Sequence, residues 1–294
     1  MSSTFKQALL AAVAAMALVA CGAAEFDSDE ADATSAGGLY FVRHDDRRCP
    51  SPACGGFWML PNKGGAAQYA ASIDWSGAGL DAVTRTALGS ALPEELLVRG
   101  KLVAASDSAA HGQKIFAASA AWRGLPGVVP GASEKVYSAK AAAGSSSGAS
   151  SGLVASQAAT GSTTNVSRVQ VQRASKAFVD QAWLSARVAS SGSLAFAKVT
   201  TVNKEAVLDA SQVYLKLPEL AGCPAVREPA CPAGQVHTYQ RDTRRCLVPT
   251  GCAQPGACSH MLPSCTEGYD LVSWATAPRA CPAAACDPSW VAGR

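Results

Sequence analysis

The chain has 294 residues, 48% of them hydrophobic and 16% charged, with a mean hydropathy of +0.09 and a formal net charge of +3. The basic residues are scattered and not interleaved with runs of aromatics, which excludes the usual nucleic-acid footprint.

The chain opens MSSTFKQALLAAVAAMALVAC, where Lys6 precedes an apolar run from Ala8 to Ala20 that is too short to span a bilayer as a helix. Residues 1–21 therefore read as an export signal. The run ends Leu18-Val19-Ala20-Cys21, which resembles the lipobox of bacterial lipoproteins, and the resemblance implies that Cys21 is the acylated first residue of the mature chain. A plain secretory peptide cut at an Ala-x-Ala-like site is the alternative. Each buried methylene of an acyl chain contributes about 0.8 kcal/mol, so a multiply acylated cysteine would hold the chain to a membrane. Because Gly22 and not an aspartate follows Cys21, lipoprotein sorting rules imply the outer membrane.

Residues 22–37 read as an acidic flexible tether carrying Glu25, Asp27, Asp29, Glu30 and Asp32, which leaves a body of about +7 beyond residue 33. Ten of the eleven cysteines remain after Cys21: Cys49, Cys54, Cys223, Cys231, Cys246, Cys252, Cys258, Cys265, Cys281 and Cys286. An even number in an exported chain points to disulfides. Zinc is the rival, but ligand pairs in zinc ribbons favour about two to four intervening residues, and the C-terminal spacings are mostly longer. Composition breaks near Pro218 and Gly222, since residues 219–294 hold eight cysteines and residues 38–218 only two.

Within residues 38–218, LYFVRH and GGFWML flank a CPSPAC turn as a hairpin, AQYAASIDW reads as a strand, and DAVTRTAL as a short helix capped by Asp81. LLVRGKLVAA and KIFAASAAW follow as strands. Further on, SRVQVQ reads as a strand and SKAFVDQAWLSAR as a helix with Ser175 as cap and Val179, Ala182, Trp183 and Ala186 on one face. SLAFAKVTTV and LDASQVYLKLP close the region. Laying LVRGKLVAAS…KIFAASAAWRGLP over LAFAKVTTVN…VLDASQVYLKLP suggests a degenerate duplication with halves at 38–126 and 132–218, against the alternative of two unrelated sets of strands. The Gly/Ser loop 141–152 contains GSSSG, a formal nucleophile elbow around Ser146. It lacks the buried strand and following helix that aim such a serine.

The densest cluster of reactive side chains is RHDDRRCPSPACGG, residues 43–56. It has two echoes in the tail, DTRRCLVPTGC (242–252) and APRACPAAAC (277–286), within two four-cysteine units whose gaps are seven, fourteen and five residues in the first and six, fifteen and four in the second. What recurs is an arginine (Arg48, Arg245, Arg279), a cysteine pair and prolines. His44 and Asp46 do not recur, so the stretch reads as scaffold: a strand running into a disulfide-closed turn. A loop closed by Cys49 and Cys54 removes about 2 kcal/mol of unfolded-chain entropy. Eight tail cysteines allow 105 pairings, or three if each unit closes on itself by one scheme. Analogy with Cys49–Cys54 points to Cys246–Cys252 and Cys281–Cys286, leaving Cys223–Cys231 and Cys258–Cys265.

The expected fold is thus α+β and β-rich, a degenerate duplicated hairpin, helix and strand-pair domain followed by a small disulfide-rich tandem repeat. The run VRHDDRRCPSPACGGFW, the segments IDWSGAGL, RGKLV and ASQVYLKLP, and the tail CTEGYDLVSWATAPRACPAAACDPSW together resemble a family of secreted myxobacterial lipoproteins catalogued as domain of unknown function 6748. That resemblance implies export, disulfides, a β-rich duplicated domain and no assigned activity. Relatives tend to carry a cysteine pair in the second half, where this chain has AAAGSSSGASSG.

His44, His111, His237 and His260 form no HExxH or H-x-H pattern, so no metal ligand, cofactor or catalytic residue is assigned. Three functions remain. The first is a non-catalytic, lipid-anchored envelope protein that contacts the membrane through Cys21 and binds a protein, a glycan or the wall, with Trp58, Trp75, Trp274 and Trp290 as contact area or as core. The second is an inhibitor of secreted proteases acting through the loops LVPTG (247–251) and PAAA (282–285). The third is a hydrolase using His44, Asp45 or Asp46. The first is the reading adopted.

Overall fold

Short runs of β-branched and aromatic residues punctuated by glycine, proline and serine favour a pleated chain with frequent turns. A computed structural model describes residues 37–47, 55–89, 91, 95–105, 113–128, 130–131, 133–142, 152–176, 178–190, 192–218, 223–242, 244–258 and 262–291. The expected lipid-attachment residue Cys21, the pair Cys49 and Cys54, Arg48, Ser146, His111 and His260 lie outside the described residues.

The first half runs β1 (Gly38–His44), β2 (Phe57–Pro61), β3 (Gln68–Ala70), β4 (Ile73–Asp74), a single 3-10 turn, α1 (Ala82–Leu88), β5 (Leu96–Ala104) and β6 (Lys114–Gly124). The second runs β7 (Lys135–Ala141), β8 (Leu153–Gln157), β9 (Thr163–Val166), β10 (Arg168–Gln170), α2 (Gln181–Ser190), β11 (Leu194–Val202) and β12 (Glu205–Leu217). All these strands join one sheet of order β3-β2-β1-β5-β6-β12-β11-β7-β8-β9, with β4 parallel to β6 and β10 parallel to β12. The order reads the same from either end once the halves are exchanged.

The duplication extends to register. Ile73 lies opposite Phe116 as Val169 lies opposite Leu208, and His44 lies opposite Phe57 as Ala141 lies opposite Leu153. Both strand pairs slip by one residue, at Arg99/Gly100 and at Phe196/Ala197. The residue skipped is a serine each time, and Ser119 and Ser211 donate their hydroxyls to the carbonyls of Arg99 and Phe196, both at 3.3 Å. The two halves meet where β6 pairs with β12, at Arg123 opposite Leu215.

Alternation along each strand separates the apolar residues onto two faces. One face carries a core in each half: Val42, Met59, Val98 and Phe116 in the first, and Ala139, Ala155, Ala195 and Leu208 with Trp183, Leu184 and Val188 of α2 in the second. The halves exchange their last leucines, since Leu125 packs in the second core and Leu217 in the first. The other face is enclosed because the sheet coils, bringing the ring of Phe41 on β1 to 6.2 Å from that of Phe196 on β11. Inside sit three matched pairs, Leu39 with Val136, Leu97 with Leu194, and Trp122 with Tyr214. Each such fully buried side chain contributes roughly 1.5–3 kcal/mol.

Asp81 caps α1 as expected, accepting from Thr84 N–H at 2.6 Å. The second helix starts later than expected: its cap is Asp180, accepting from Trp183 N–H at 3.0 Å, and not Ser175. The left-handed backbone of Phe178 (φ 67) turns the chain between the two. The face it buries is Trp183, Leu184 and Val188, while Ala182 is exposed.

The tail forms two hairpins, β13 (Val236–Arg241) with β14 (Leu247–Ala253) and β15 (Tyr269–Thr276) with β16 (Cys281–Pro288). Its disulfides are Cys223–Cys246, Cys231–Cys252, Cys258–Cys281 and Cys265–Cys286. Each unit therefore closes on itself by one scheme, first cysteine to third and second to fourth, which corrects the expected pairings Cys246–Cys252, Cys281–Cys286, Cys223–Cys231 and Cys258–Cys265. The reason is geometric: LVPTG and PAAA are strand, not turn. Five or six residues of strand at about 3.3 Å each separate the two cysteines by roughly 16–20 Å, far beyond disulfide reach.

Residues 36–294 form one compact unit, so the compositional break near 218 is no break in packing. Tyr269, Cys286 and Val291 belong to the second core, and Trp290 packs against both cores. Cys286 N–H donates to Phe178 O at 2.9 Å, and the Arg245 guanidinium stacks on Trp183 at 4.6 Å.

Candidate functional site

The β1–β2 connection closes with a hydrogen bond from Asp45 N–H to Gly56 O at 2.9 Å, and the β7–β8 connection closes identically, Ala142 N–H to Gly152 O at 2.9 Å. The two connections thus close at equivalent places in the two halves, and residues 48–54 and 143–151 within them lie outside the described residues. Gly56 has to be glycine, because a Cβ there would lie 2.3 Å from the carbonyl oxygen of Ala70. Register then sets Arg43 opposite Trp58, and Trp58 opposite Tyr69, on the same face of the first hairpin as Leu39 and Phe41.

Asp45 is buried and accepts a two-pronged contact from Arg47, Nε and Nη2 each at 2.7 Å. That side-chain contact with Arg47, aided by the Arg47 N–H and the Trp58 side chain and opposed by burial, holds the Asp45 carboxyl at about 2. The guanidinium so fixed lies 5.2 Å from the centre of the Trp58 ring and 6.0 Å from that of Tyr69, whose rings meet edge to face at 5.4 Å. Tyr69 Oη in turn accepts from Gly56 N–H at 3.2 Å. Beside this cluster is an open cleft of about 520 Å³ lined by Arg43, His44, Asp45, Asp46, Arg47, Trp58, Leu60 and Ala67.

Of the residues offered for hydrolysis, the structure brings His44, Asp45 and Asp46 to one cleft but links them by no hydrogen bond. His44 packs on Phe57 at 4.7 Å between ring centres, Asp45 is held ionised by Arg47, and Asp46 projects into solvent. A general acid needs a carboxyl raised toward neutrality, the opposite of what Asp45 shows. A second carboxylate cluster in the other half behaves alike. Burial raises Glu134, but hydrogen bonds from Ser211 and Arg173 outweigh it and keep the group below its ordinary 4.5. Arg173 also binds Asp209 at 2.7 Å.

The nearest approach to a metal site among the described residues is Cys231, His237 and Cys252. Both sulfurs are spent in the Cys231–Cys252 disulfide, and thiolate is the ligand form. His237 is engaged with Pro229 O at 2.6 Å and with Glu228 at 3.3 Å. A larger cavity of about 730 Å³ lies against the tail hairpins and is lined in part by Arg241, Arg245 and Asp287. There both arginines converge on one Asp287 oxygen, at 2.5 and 2.9 Å, while Arg241 stacks on Trp274. These groups fasten the two hairpins to each other and, through Arg245 and Trp183, to α2.

Among the four tryptophans named as contact area, Trp75 packs on the first core, Trp290 on both cores, and Trp274 on Arg241, which leaves Trp58 beside the cleft. What sequence reading missed is the partnership of Trp58 with Tyr69 and Arg47. It depends on register across two hairpins, and the only sign of it is that all three fall within 23 residues of a predicted strand-turn-strand unit.

No family model matches the chain, and no solved structure matches it. An uncharacterized protein of Dictyostelium discoideum is 35% identical over 116 residues, which is 39% of this chain. The chain spans 40% of that relative's length, so the likeness is to part of an uncharacterized protein.

Proposed function

We propose that this is a non-catalytic, exported and lipid-anchored envelope protein, held to the outer membrane through acylated Cys21, that binds its ligand in the cleft of the first hairpin. The resemblance to the myxobacterial lipoprotein family is part of that reading. Four disulfides in a β-rich body support an oxidising location, and among the described residues no helix is long and apolar enough to cross a membrane.

The observation that carries the binding reading is the mismatch between the halves at equivalent positions. Where the first half has His44, Asp45, Trp58 and Tyr69, the second has Ala141, Ala142, Val154 and Asn165. Among the described residues the second hairpin closes without an ion pair or aromatic cluster, which supports a purpose other than closure for these groups in the first half. Half-exposed aromatics beside a polar cleft are the usual furniture of a recognition site.

Two experiments test the parts separately. Labelled fatty acid fed to cells should enter the chain and should not enter Cys21→Ser; incorporation into the variant would remove the anchor. The whole chain in detergent, immobilised and exposed to envelope extract, should retain material that Trp58→Ala does not retain. Equal retention by both would remove the cleft from the binding reading.

A further inference from the structure

Resting on the cleft as a binding site, we infer that its ligand is a neutral saccharide. Charge gives the first argument. Arg43 and Arg47 stand against Asp45 and Asp46 around the lining, so the cleft presents no net field of either sign to draw a strongly anionic or cationic ligand.

The second argument is which groups are spoken for. Asp45 and Arg47 satisfy each other, at 2.7 Å twice, and Arg47 lies over one side of Trp58 as a wall of the cleft. Arg43 and Asp46 are exposed and make no hydrogen bond or ion pair among the described residues. A free guanidinium and a free carboxylate flanking an aromatic surface suit vicinal hydroxyls: the planar fork donates to two adjacent oxygens, the carboxylate accepts from two O–H groups, and the C–H face of the sugar ring lies on the indole.

Size supplies the third. About 520 Å³ is room for a few sugar rings, whereas a stable protein partner needs roughly 800 Å² of each surface with an apolar centre. Of the large apolar residues that are strongly exposed among the described residues, Leu60 at 37% alone lines the cleft. A phosphate-bearing or uronic ligand is disfavoured because a cleft carboxylate, Asp46, would face it unpaired.

The test is calorimetry of the whole chain in detergent against a panel of neutral oligosaccharides of differing linkage (gluco-, manno-, galacto- and N-acetylglucosamine series) and against oligogalacturonate. At least one neutral series should bind, with affinity lowered about tenfold or more in Trp58→Ala and less so in Arg43→Ala and Asp46→Ala, while oligogalacturonate binds no tighter. Val154→Ala, at the equivalent place in the second half, should leave binding unchanged. Circular dichroism and intact-mass measurement of the disulfides show whether each variant is folded. Absence of binding across the neutral series, tighter binding of oligogalacturonate, or equal binding by folded Trp58→Ala would overturn the saccharide assignment. Periodate treatment of the envelope extract separates the two levels. Retention that depends on Trp58 but survives periodate and is abolished by protease would leave the cleft a binding site and sink the saccharide.

Discussion

The two halves of the large sheet share strand order, register, the slip in the long strand pair and even the serine skipped there, yet they spend their remaining side chains differently. The second half turns inward. Its helix is covered by the tail, Trp183 lies between the core and Arg245, and Glu134 and Asp209 are tied together through Arg173. The first half turns outward: Val83 on α1 is 80% exposed, and the polar and aromatic groups of its hairpin gather around a cleft. A duplicated scaffold repeats its backbone plan while the side chains of its two copies diverge, and the proposed binding reading rests on the positions that differ.

The strongest way to break that comparison is to loosen the tail. Cys265–Cys286 and Cys258–Cys281 close loops of similar length, so chain entropy gives each about 3 kcal/mol. Cys286 lies in the second core at 1% exposure, and Cys281 is only half-buried. Replacing Cys265 and Cys286 together by alanine should therefore cost about 4 kcal/mol in urea denaturation, roughly 1 more than the same change at Cys258 and Cys281, the excess being the cavity left in the core. Hydrogen exchange should quicken in α2, β8 and β9 and stay unchanged in β1–β3. Equal quickening at both ends of the sheet would show that the tail braces the halves alike.

The next effect is smaller and tests the shared slip. Gly100 and Ala197 are equivalent, but a Cβ at Gly100 would lie 2.1 Å from Ala117 O and 2.6 Å from the Phe116 ring. Gly100→Ala should cost about 1–3 kcal/mol by overpacking. The reverse change, Ala197→Gly, should cost about 1–2 kcal/mol, from unfolded-chain entropy and the loss of a buried methyl group. The serines carry the same contrast: Ser211→Ala leaves buried Glu134 short of a donor and should cost about 1–3 kcal/mol, against roughly 0.5 or less for exposed Ser119→Ala. Thermal midpoints of the four variants rank them.

Much of this plan is legible in the sequence. The long strands β5, β6, β11 and β12 stand out because their apolar residues run far beyond chance alternation, and RGLP over LKLP aligned Leu125 with Leu217 correctly. The strands on either side of the Gly/Ser segment are not legible as strands. KVYSAKA, LVASQ and TTNV are short and half polar, and only their pairing partners make them β. For α2, Ser175 and Asp180 are both good caps by residue type, and the choice falls to the backbone of Phe178. The expected disulfide pairing rests on analogy with Cys49–Cys54, and it fails because LVPTG and PAAA are strands of two-stranded ribbons, where proline and glycine are tolerated. For the cleft, sequence reading singles out His44, Asp45, Asp46 and Trp58 but not Tyr69, and the stack of Arg47 on Trp58 exists only once register places Trp58 against Tyr69.

The smallest expected effect is also the most local. Asp45 is held at about 2, below its ordinary 3.8, so its folded form binds a proton less readily than the unfolded chain does. The stabilisation from its contact with Arg47 is therefore complete above about pH 4 and is lost as pH falls from there through about 2. Followed by carboxyl NMR or by the fluorescence of Trp58 in a chain whose other tryptophans report separately, the titration should have its midpoint near 2 and move toward 3.8 in Arg47→Ala. The second hairpin, with Ala142 in the place of Asp45, has no such group and should show no change over the same range. A midpoint near 3.8 in the unaltered protein would mean that Arg47 is not held on Asp45 in solution. The wall of the cleft would then be mobile, and the contrast between a built first hairpin and a plain second one would reduce to the aromatic residues alone.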